Sequence, residues 1–550
     1  MNSPDSRASA SAQAAVLDSA HIGDIRGAFG TIAQNDTGRR TSWMARFKTL
    51  MAIIGPGLIV MVGDNDAGAF STYTQAGQNY GTTLLWTLML LIPVLYINQE
   101  MVLRLGVVSG VGHARLILER FGRFWGAFSV IDLFLVNALT IVTEFIGISL
   151  GLSFLGVPKI PGVIVSALLI MVAVSTGNFR RFERFSMVLV FASLLLVPVF
   201  VMVHPPLSQV VHDFLIPAYP QGAKLSDVML LIIGIVGTTV APWQLFFQQS
   251  YVIDKRITTQ FINYERWDLV LGIVLVIVGA VAMMAFAAQT FAGKPEFGNF
   301  ADAGAVASGI AKYYGRLPAQ LFAIALIDAC IIGASAVSLS TAYAVGDVLS
   351  VNHSLHRKPK EAIGFYAVYF TLIVIAATLV LIPGTPLGLL TNAVQTLAGV
   401  LLPSASVFLL LLCNDKEVLG PWVNGRKLNI FTAAIVAVLV MLSIILTAAV
   451  LFPDISSGAI IAILVGGSAV GIAIAAVVKL IQAKRDKAAG KTAEVKVHIA
   501  DTANWRMPPL DQLRPLNLTV EKLVWMGVLR GYLIVAICLV AYKVVRMAMG

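Results

Sequence analysis

Apolar runs alternate with short polar connections along almost the whole chain from Thr49 onwards. Most runs reach about 18 residues, the length at which an apolar stretch is typical of a membrane-spanning helix. Because a bilayer interior offers no water to hydrogen-bond a free backbone, such runs must be helical. The pattern predicts an all-α polytopic membrane protein with about 12 or 13 transmembrane helices. The predicted spans are centred near Val60, Leu91, Leu139, Ile170, Leu194, Val240, Leu275, Leu326, Ile373, Leu401, Val438, Gly467 and Ala536.

Basic residues are concentrated in alternate connections between the predicted spans. These connections contain Arg115, Arg120 and Arg123, then Arg180, Arg181 and Arg184, then Lys255, Arg256 and Arg266, then His353–Lys360, then Lys416, Arg426 and Lys427, then Lys484–Lys496. Such an alternation is typical of cytoplasmic loops under the positive-inside rule. It predicts a multi-pass protein of the plasma (inner) membrane with a cytoplasmic N-terminus.

The hydropathy pattern divides the chain into five regions. The first is Ala-, Ser- and Gly-rich with no apolar h-region, so we expect a disordered cytoplasmic tail rather than a cleaved signal peptide. The predicted regions are the tail at 1–48, a transporter core at 49–451, an extra span at 452–481, a cytoplasmic linker at 482–521 and a C-terminal span at 522–550.

Composition agrees with this class and excludes others. With 58% hydrophobic and 12% charged residues, the chain is no soluble globule, and its partner is the lipid bilayer. The basic residues behind the net charge of +10 lie in short loops, where they determine the membrane topology. We therefore expect no nucleic-acid partner. The cysteines Cys330, Cys413 and Cys538 form no CxxC pair. No P-loop, HExxH motif or catalytic triad appears, so the sequence predicts neither an enzyme nor a cofactor, and no obligatory protein partner is evident.

The first span is interrupted by charge. The stretch Val62–Ala69 places Asp64 and Asp66 between glycines inside an otherwise apolar run. Ionisable side chains at membrane depth are expensive and mark functional sites by default. A broken backbone there is tolerated only where it is buried in protein or lines a cavity.

The sixth span repeats this interruption. Gly237–Gln244 carries two threonines and Pro242, which removes a backbone donor and breaks or kinks a helix. Interrupted segments at corresponding positions of two halves are the best sequence indication of a midplane site in an inverted-repeat transporter. We therefore predict a 5+5 inverted-repeat fold with helices 1 and 6 broken.

The donors at the two breaks favour a hard cation. Asp66 supplies a charge, Thr238 a hydroxyl, and the breaks free the carbonyls of Ala67 and Ala241. An oxygen-only site suits magnesium better than later transition metals. Ala69 and Ala241 are small and leave room for water molecules on the ion. Asp64 either coordinates the ion, directly or through water, or attracts cations from an aqueous vestibule.

Several motifs resemble the NRAMP family of divalent-metal transporters. They are Gly55-Pro56-Gly57, Asp66-x-Gly68, Gln75-Ala76-Gly77, Leu84-Leu85-Trp86, Gln99, Leu103-Arg104-Leu105-Gly106, Arg181-Phe182-Glu183, Gln395 and Leu402-Pro403. The resemblance covers Thr49 to Leu451. It implies two inverted five-helix repeats plus an eleventh helix, with Asp66 as a metal ligand and Gln395 as a ligand that reaches the metal in closed states.

Departures from the family pattern point to a particular branch. Ala69 stands where the family has an Asn ligand, and Ala241 stands where it has the Met that selects transition metals. This combination resembles the NRAMP-related magnesium transporters. The resemblance implies import of partly hydrated Mg²⁺, and also Mn²⁺, by alternating access.

Proton-coupling positions are altered as well. Trp243 and Gln248 replace two family histidines, and Ile141 replaces an Asp, whereas Glu144 matches a family Glu. A proton relay needs titratable groups in series, so we expect transport that is not proton-coupled. Trp243, Glu144 and Gln248 are then predicted as pathway or gating residues.

Other interpretations stay open at this point. A proton-coupled Mn²⁺/Fe²⁺ transporter is one rival, disfavoured by the loss of the family Met and both histidines. A sodium-coupled organic-solute carrier on the same architecture is another, disfavoured by Asp66 at the break. A metal-sensing receptor should carry a signalling domain in its cytoplasmic loops, and the longest predicted loop is too short for one. Thr238 could hydrogen-bond one turn back instead of binding an ion. Trp243 could simply pack beside a cavity. Asp132 and Asp328 are further intramembrane acids without an assigned role.

Overall fold

The structure is a computed structural model that describes residues 19–36, 38–383, 404–452, 455–488 and 505–514, with isolated positions between 391 and 531. These residues are mostly helical. In the first half the elements are β1 (Ile25–Arg26), β2 (Thr31–Ile32), α1 (Trp43–Ile53), α2 (Pro56–Val62), α3 (Ala67–Tyr80), α4 (Trp86–Ser109), α5 (His113–Phe121), α6 (Arg123–Phe154), α7 (Lys159–Val174), α8 (Phe179–Val203) and α9 (Leu207–Leu215). In the second they are α10 (Leu225–Thr239), α11 (Pro242–Asp254), α12 (Ile262–Phe291), α13 (Ala303–Tyr314), α14 (Arg316–Leu349), α15 (Ile363–Leu381), α16 (Ser404–Cys413), α17 (Lys416–Leu419), α18 (Arg426–Leu451) and α19 (Ser457–Ala488).

Eight segments of the described chain are long and apolar enough to cross a membrane, and the bent pair α1–α2 makes a ninth. Shorter apolar helices are α7, α16 and the first part of α19. The predicted span centres fall in these segments, except that Leu401 and Ala536 lie outside the described residues. The protein is therefore a multi-pass integral membrane protein.

Two long helices form the centre of the bundle. In α14, 83% of the most apolar window is buried, against 33% in α8, and α14 packs most extensively against α6. The outer helices expose Val165, Val172 and Val188 where lipid would lie. Burial therefore separates a protein-facing centre from a lipid-facing rim.

Glycines allow α12 to support the interrupted first helix. A Cβ at Gly57 would lie 2.6 Å from the Leu269 backbone nitrogen, and one at Gly272 would lie 2.6 Å from the Gly57 carbonyl oxygen. In membranes, small residues let helix backbones approach closely and gain van der Waals contact. Thus α2 and α3 both pack along α12.

The basic connections meet on one side of the bundle, which we call the basic face and define by Arg120, Arg180, Arg184, Lys255 and Arg256. A buried ion pair is central to it: Lys255 Nζ lies 2.6 Å from Glu183 Oε1, and both side chains are fully buried. Lys255 also donates to the carbonyls of Ile53 and Ile54, at 2.5 and 2.9 Å. This pair joins α1, α8 and α11 at their ends on this face.

Within the region predicted as an N-terminal tail, the structure describes residues 19–36 and places two short strands there. β1 and β2 pair antiparallel, with Ile25 opposite Ile32, and these two side chains are buried against Ala52. The helical chain also begins earlier than predicted, at Trp43, because Ser42 caps α1 by accepting a hydrogen bond from the Ala45 N–H. We call residues 20–32 the N-terminal hairpin.

Arginines on the basic face hold the hairpin through its backbone. Arg180 Nε donates to the Gly27 carbonyl and Arg184 Nε to the Ala28 carbonyl, both at 3.0 Å. In return the Ala28 N–H donates to Glu183 Oε2 at 2.5 Å. Arg256 Nη2 completes the attachment with a 2.7 Å bond to the Ala20 carbonyl. The hairpin is thus tied to α8 and to the residue pair that follows α11.

The described part of the predicted linker also lies on this face. Arg506 Nη1 donates to Thr259 Oγ1 at 2.6 Å, and Arg120 Nη1 donates to the Arg514 carbonyl at 2.7 Å. Residues 505–514 therefore cross the basic face instead of extending away from it.

Next to the hairpin, His353 lies in the α14–α15 connection. Its Nε2 is 3.1 Å from Asp347 Oδ1, and its Nδ1 is 2.7 Å from the Val351 carbonyl oxygen. The ring of His21 is centred 5.8 Å away, and Asp254 contributes a further negative charge. Burial alone lowers the pKa of His353, but the hydrogen bond and charge of Asp347 outweigh it and raise the pKa to about 8.

We expect Gly27→Leu to detach the hairpin while leaving the helical bundle folded. A side chain at Gly27 would overlap the Ala52 carbonyl oxygen, whereas one at Gly38 meets nothing closer than 3.5 Å. Trypsin cleavage after Arg26 should therefore accelerate about tenfold or more in Gly27→Leu and stay unchanged in the control Gly38→Leu. Equal cleavage in both variants would contradict the docking described here.

The charge on His353 predicts a pH-dependent stability. A folded-state pKa raised to about 8 contributes stability that is complete below the unfolded value of about 6.5 and is lost as pH rises through about 8. The contribution corresponds to about 2 kcal/mol. Wild type should exceed His353→Gln in thermal stability at about pH 6, and the difference should disappear by about pH 9. A difference that is the same at both pH values would argue against the His353–Asp347 pair as its source.

Candidate functional site at the helix breaks

The first break is held in place by side chains of neighbouring helices. α2 ends at Val62, and Gly63–Asn65 turn the chain before α3 begins. Tight turns connect Asp64 N–H to the Met61 carbonyl and Asn65 N–H to the Val62 carbonyl, at 3.3 and 3.1 Å. Asn65 Nδ2 donates to the Val276 carbonyl of α12 at 3.3 Å. These bonds satisfy polar groups that the break would otherwise leave unpaired in the protein interior.

Asp66 begins the second half of this helix. It is the N-cap of α3, and its Oδ1 accepts the Ala69 N–H at 2.9 Å. Its side chain lies close to the Glu144 carboxyl group of α6, whose Oε2 accepts the Ala67 N–H. Gly333 makes room for the pair, since a Cβ there would lie 3.0 Å from the Glu144 carboxyl carbon.

The second break follows from proline. α10 ends at Thr239, the backbone is extended at Val240 and Ala241, and Pro242 is the first residue of α11. Proline has no N–H, so a carbonyl of the preceding turn loses its helical partner. The Thr239 carbonyl lies 3.4 Å from Gln244 Nε2, and the Ala241 carbonyl accepts the Gln244 N–H at 3.3 Å.

The two breaks face each other. Tyr73 OH lies 2.6 Å from Thr239 Oγ1 and so joins α3 to α10. Gln244 Nε2 donates to Asp64 Oδ1 and so joins α11 to the first break. The Trp243 ring packs beside Gly63, 3.5 Å from the position of a Cβ there. The two interruptions identified in the sequence are therefore in direct contact.

Several polar atoms in this region have no hydrogen-bond partner among the described residues. They are Asp64 Oδ2, Glu144 Oε1, Thr238 Oγ1, Trp243 Nε1 and both amide atoms of Gln248. Each of these residues is at most 3% exposed. An unsatisfied buried polar group costs about 1–3 kcal/mol, so this concentration favours a place that receives a polar ligand.

The alanines contribute backbone rather than side-chain chemistry. Ala67 opens α3 and presents its N–H, which donates to Glu144 Oε2 at 3.2 Å. The roles as carbonyl ligands for Ala67 and Ala241, and as a space-maker for Ala69, stay predictions. Gln395 lies outside the described residues, so its predicted role stays a prediction too.

Sequence reasoning missed three residues of this region. Gln244 contacts both breaks, and Gln99 of α4 donates from Nε2 to Gln244 Oε1 at 3.0 Å. The sequence signal was available, because both are amides inside apolar spans. Cys330 of α14 lies against Gly147, one turn along α6 from Glu144. No feature of the sequence connects Cys330 to the first break, since only tertiary packing brings it there.

Across the part of the chain that the structure describes, no group of three or more His, Cys, Asp or Glu residues is arranged to hold a metal. An ion at the breaks would therefore combine carboxylate with hydroxyl, amide, carbonyl or water oxygens. Such mixed sets are typical of Mg²⁺, which usually binds one or two carboxylates and keeps several waters.

Residues 57–449 match the model of the natural resistance-associated macrophage protein-like family. The chain belongs to this family. The match includes both helix breaks and every described residue of the candidate site.

Curated relatives and solved structures of this family are similar over most of the chain. The divalent metal cation transporter MntH of Ralstonia nicotianae is 29% identical over 396 residues, which are 69% of this chain and 87% of the relative. The protein of the same name from Levilactobacillus brevis is 26% identical over 427 residues, or 73% and 89%. A crystal structure of a mutant Eremococcus coleocola manganese transporter has a TM-score of 0.62 at 21% identity, and covers 82% of this chain and 98% of that one.

The structural similarity confirms the predicted fold class, the inverted-repeat transporter fold with broken helices 1 and 6. The named relatives are transporters, which agrees with the prediction that this protein is not an enzyme.

Proposed function

We propose that this protein imports divalent cations by alternating access, with partly hydrated Mg²⁺ as its main substrate and Mn²⁺ as a second. It would then belong to the NRAMP-related magnesium transporters. The curated relatives named as divalent metal cation transporters support the general class.

One observation carries the proposal. Asp64 and Asp66 are buried at a break that faces a second break, and unpartnered oxygens of Asp64 and Thr238 lie in the same region. Buried carboxylates without a lysine or arginine partner attract a cation. The contacts of the described residues supply no such partner for either aspartate.

The choice of Mg²⁺ rests on the donor types. The segments Gly63–Ala69 and Thr238–Gln244 contain no Met, His or Cys, so the two breaks offer oxygen and amide groups. Soft thioether and imidazole ligands select later transition metals, whereas carboxylate, carbonyl and water suit Mg²⁺ and Mn²⁺. Alanine at positions 69 and 241 gives an ion space to keep water molecules.

The driving force in this proposal is the membrane potential. A dication gains about 4.6 kcal/mol per 100 mV, which corresponds to about three decades of accumulation. Trp243 and Gln248 cannot exchange a proton at neutral pH, which supports a carrier without proton coupling. The basic face would lie in the cytoplasm of a plasma-membrane protein, in accordance with the positive-inside rule.

Two observations favour a rival function, proton-coupled transport of Mn²⁺ or Fe²⁺. The buried side chains of Asp66 and Glu144 lie close together, where a proton shared by two carboxyl groups would be displaced by an arriving cation, and the Cys330 thiol lies one turn along α6 from Glu144. A proton held by a carboxyl group that binds the metal would be released as the metal arrives, so proton coupling would need no long chain of titratable groups. The two functions differ in their substrates and in whether protons move with the metal.

Flux measurements in proteoliposomes separate these functions. An inside-negative potential should drive Mg²⁺ and Mn²⁺ uptake without acidification of the lumen, because the dication carries the charge. The measurement follows metal influx and an entrapped pH dye in parallel, with protein-free vesicles as control. Metal-driven acidification would support the rival instead, and absence of Mg²⁺ flux alongside Mn²⁺ flux would defeat the Mg²⁺ assignment.

Substitutions at Asp66 separate its structural role from its electrostatic one. Asp66→Asn keeps an oxygen that caps α3, so we expect near-normal thermal stability but at least about tenfold lower uptake. Asp66→Ala should lose uptake and also about 1 kcal/mol of stability, because the Ala69 N–H loses its acceptor. Full uptake by Asp66→Asn would rule out the carboxylate as the ligand that carries the charge.

A further inference from the structure

We propose that Gln244 is a positioning residue that orients the Asp64 carboxylate towards the transported cation and thereby sets the affinity of the site. The inference rests on the proposed function and adds two residues to it, Gln244 and its partner Gln99. Among the described side chains, Gln244 is the one that hydrogen-bonds groups at both helix breaks.

Gln244 divides the two oxygens of Asp64 into different roles. Its Nε2 donates to Oδ1, whereas Oδ2 has no partner among the described residues. Asp64 is 0% exposed, so solvent does not compete for the free oxygen. A neutral amide holds the carboxylate in place and leaves its negative charge, whereas a lysine or arginine would neutralise that charge. Oδ2 is thereby the Asp64 oxygen that remains free to bind a cation.

Gln99 determines which way the Gln244 amide points. Gln99 Nε2 donates to Gln244 Oε1 at 3.0 Å, so the amide oxygen is occupied and the amide nitrogen must face Asp64. The same nitrogen lies 3.4 Å from the Thr239 carbonyl oxygen at the end of α10. The orientation is consequently set by three elements, the first break, α4 and the end of α10.

One turn further along α11, Gln248 extends this polar path. Gln248 is 0% exposed, and neither its amide nitrogen nor its amide oxygen has a partner in the described chain. Gln99 Oε1 is unpartnered too. Glutamines at positions 244 and 248 share one face of α11, because residues four apart are neighbours on a helix. Gln244 therefore contacts Asp64 and has as neighbours two residues, Gln99 and Gln248, with unpartnered amide atoms that can replace water on an ion.

The test uses Gln244→Met, which keeps the volume and removes both hydrogen bonds. With Mn²⁺ as the probe, we expect the dissociation constant by calorimetry and the KM for uptake to rise about tenfold, with Vmax changed less than twofold. The matched control is Gln249→Met on the same helix. Gln249 is equally buried and bonds His113 and the Val111 carbonyl, away from both breaks, so its variant should bind Mn²⁺ like wild type.

A double substitution distinguishes positioning from general support of the fold. Once Asp64→Asn has removed the charge, orientation no longer matters, so adding Gln244→Met should change Mn²⁺ affinity less than twofold. Gln99→Met should also weaken Mn²⁺ binding, but by less than Gln244→Met does. If Gln244→Met does not fold, Gln99→Met serves as the test variant.

The outcomes are separable from those of the proposed function. If wild type neither binds nor transports Mn²⁺ or Mg²⁺, the proposed function fails and this inference fails with it. If wild type transports but Gln244→Met has wild-type affinity, only the inference is overturned. An equal loss in Gln249→Met, or full additivity with Asp64→Asn, would also overturn it.

Discussion

A helix broken inside a membrane protein leaves backbone groups that must find partners without water, and the rest of this structure is arranged around that demand. Asp66 caps α3, Asn65 reaches a carbonyl of α12, and Gln244 lies against the carbonyl that ends α10. In the proposed function, some of the polar groups that stabilise the breaks would also meet the ion.

The neighbouring helices reflect this arrangement in their smallest residues. Gly333 of α14 leaves space for the Asp66–Glu144 pair, and Gly279 of α12 lies against the Asn65 side chain. Their contribution is the absence of a side chain, which lets buried carboxyl and amide groups approach close enough to bond one another.

The sequence was informative where a residue type is unusual for its surroundings. Asp64, Asp66 and Pro242 interrupt apolar runs, and from them the broken helices could be predicted. Gln244 was overlooked because its importance comes from which atoms it meets, and a single sequence does not record that. The N-terminal hairpin was missed for a related reason: it docks through backbone carbonyls of Gly27 and Ala28, which every residue has. Its Ala- and Gly-rich composition is the same one that favours disorder.

The docked N-terminal hairpin also bears on how the buried helix breaks could open to solvent. Arg184 and Arg256 bind its backbone, and Lys255 next to Arg256 bonds the end of α1, so the hairpin lies where the ends of α1, α8 and α11 meet. Any rearrangement that separates these ends to admit water from the basic face must first release those bonds. Under the proposed alternating access, these bonds would add to the barrier for opening towards the basic face. Substitutions that remove them would then act on the rate of opening and not on the groups at the helix breaks.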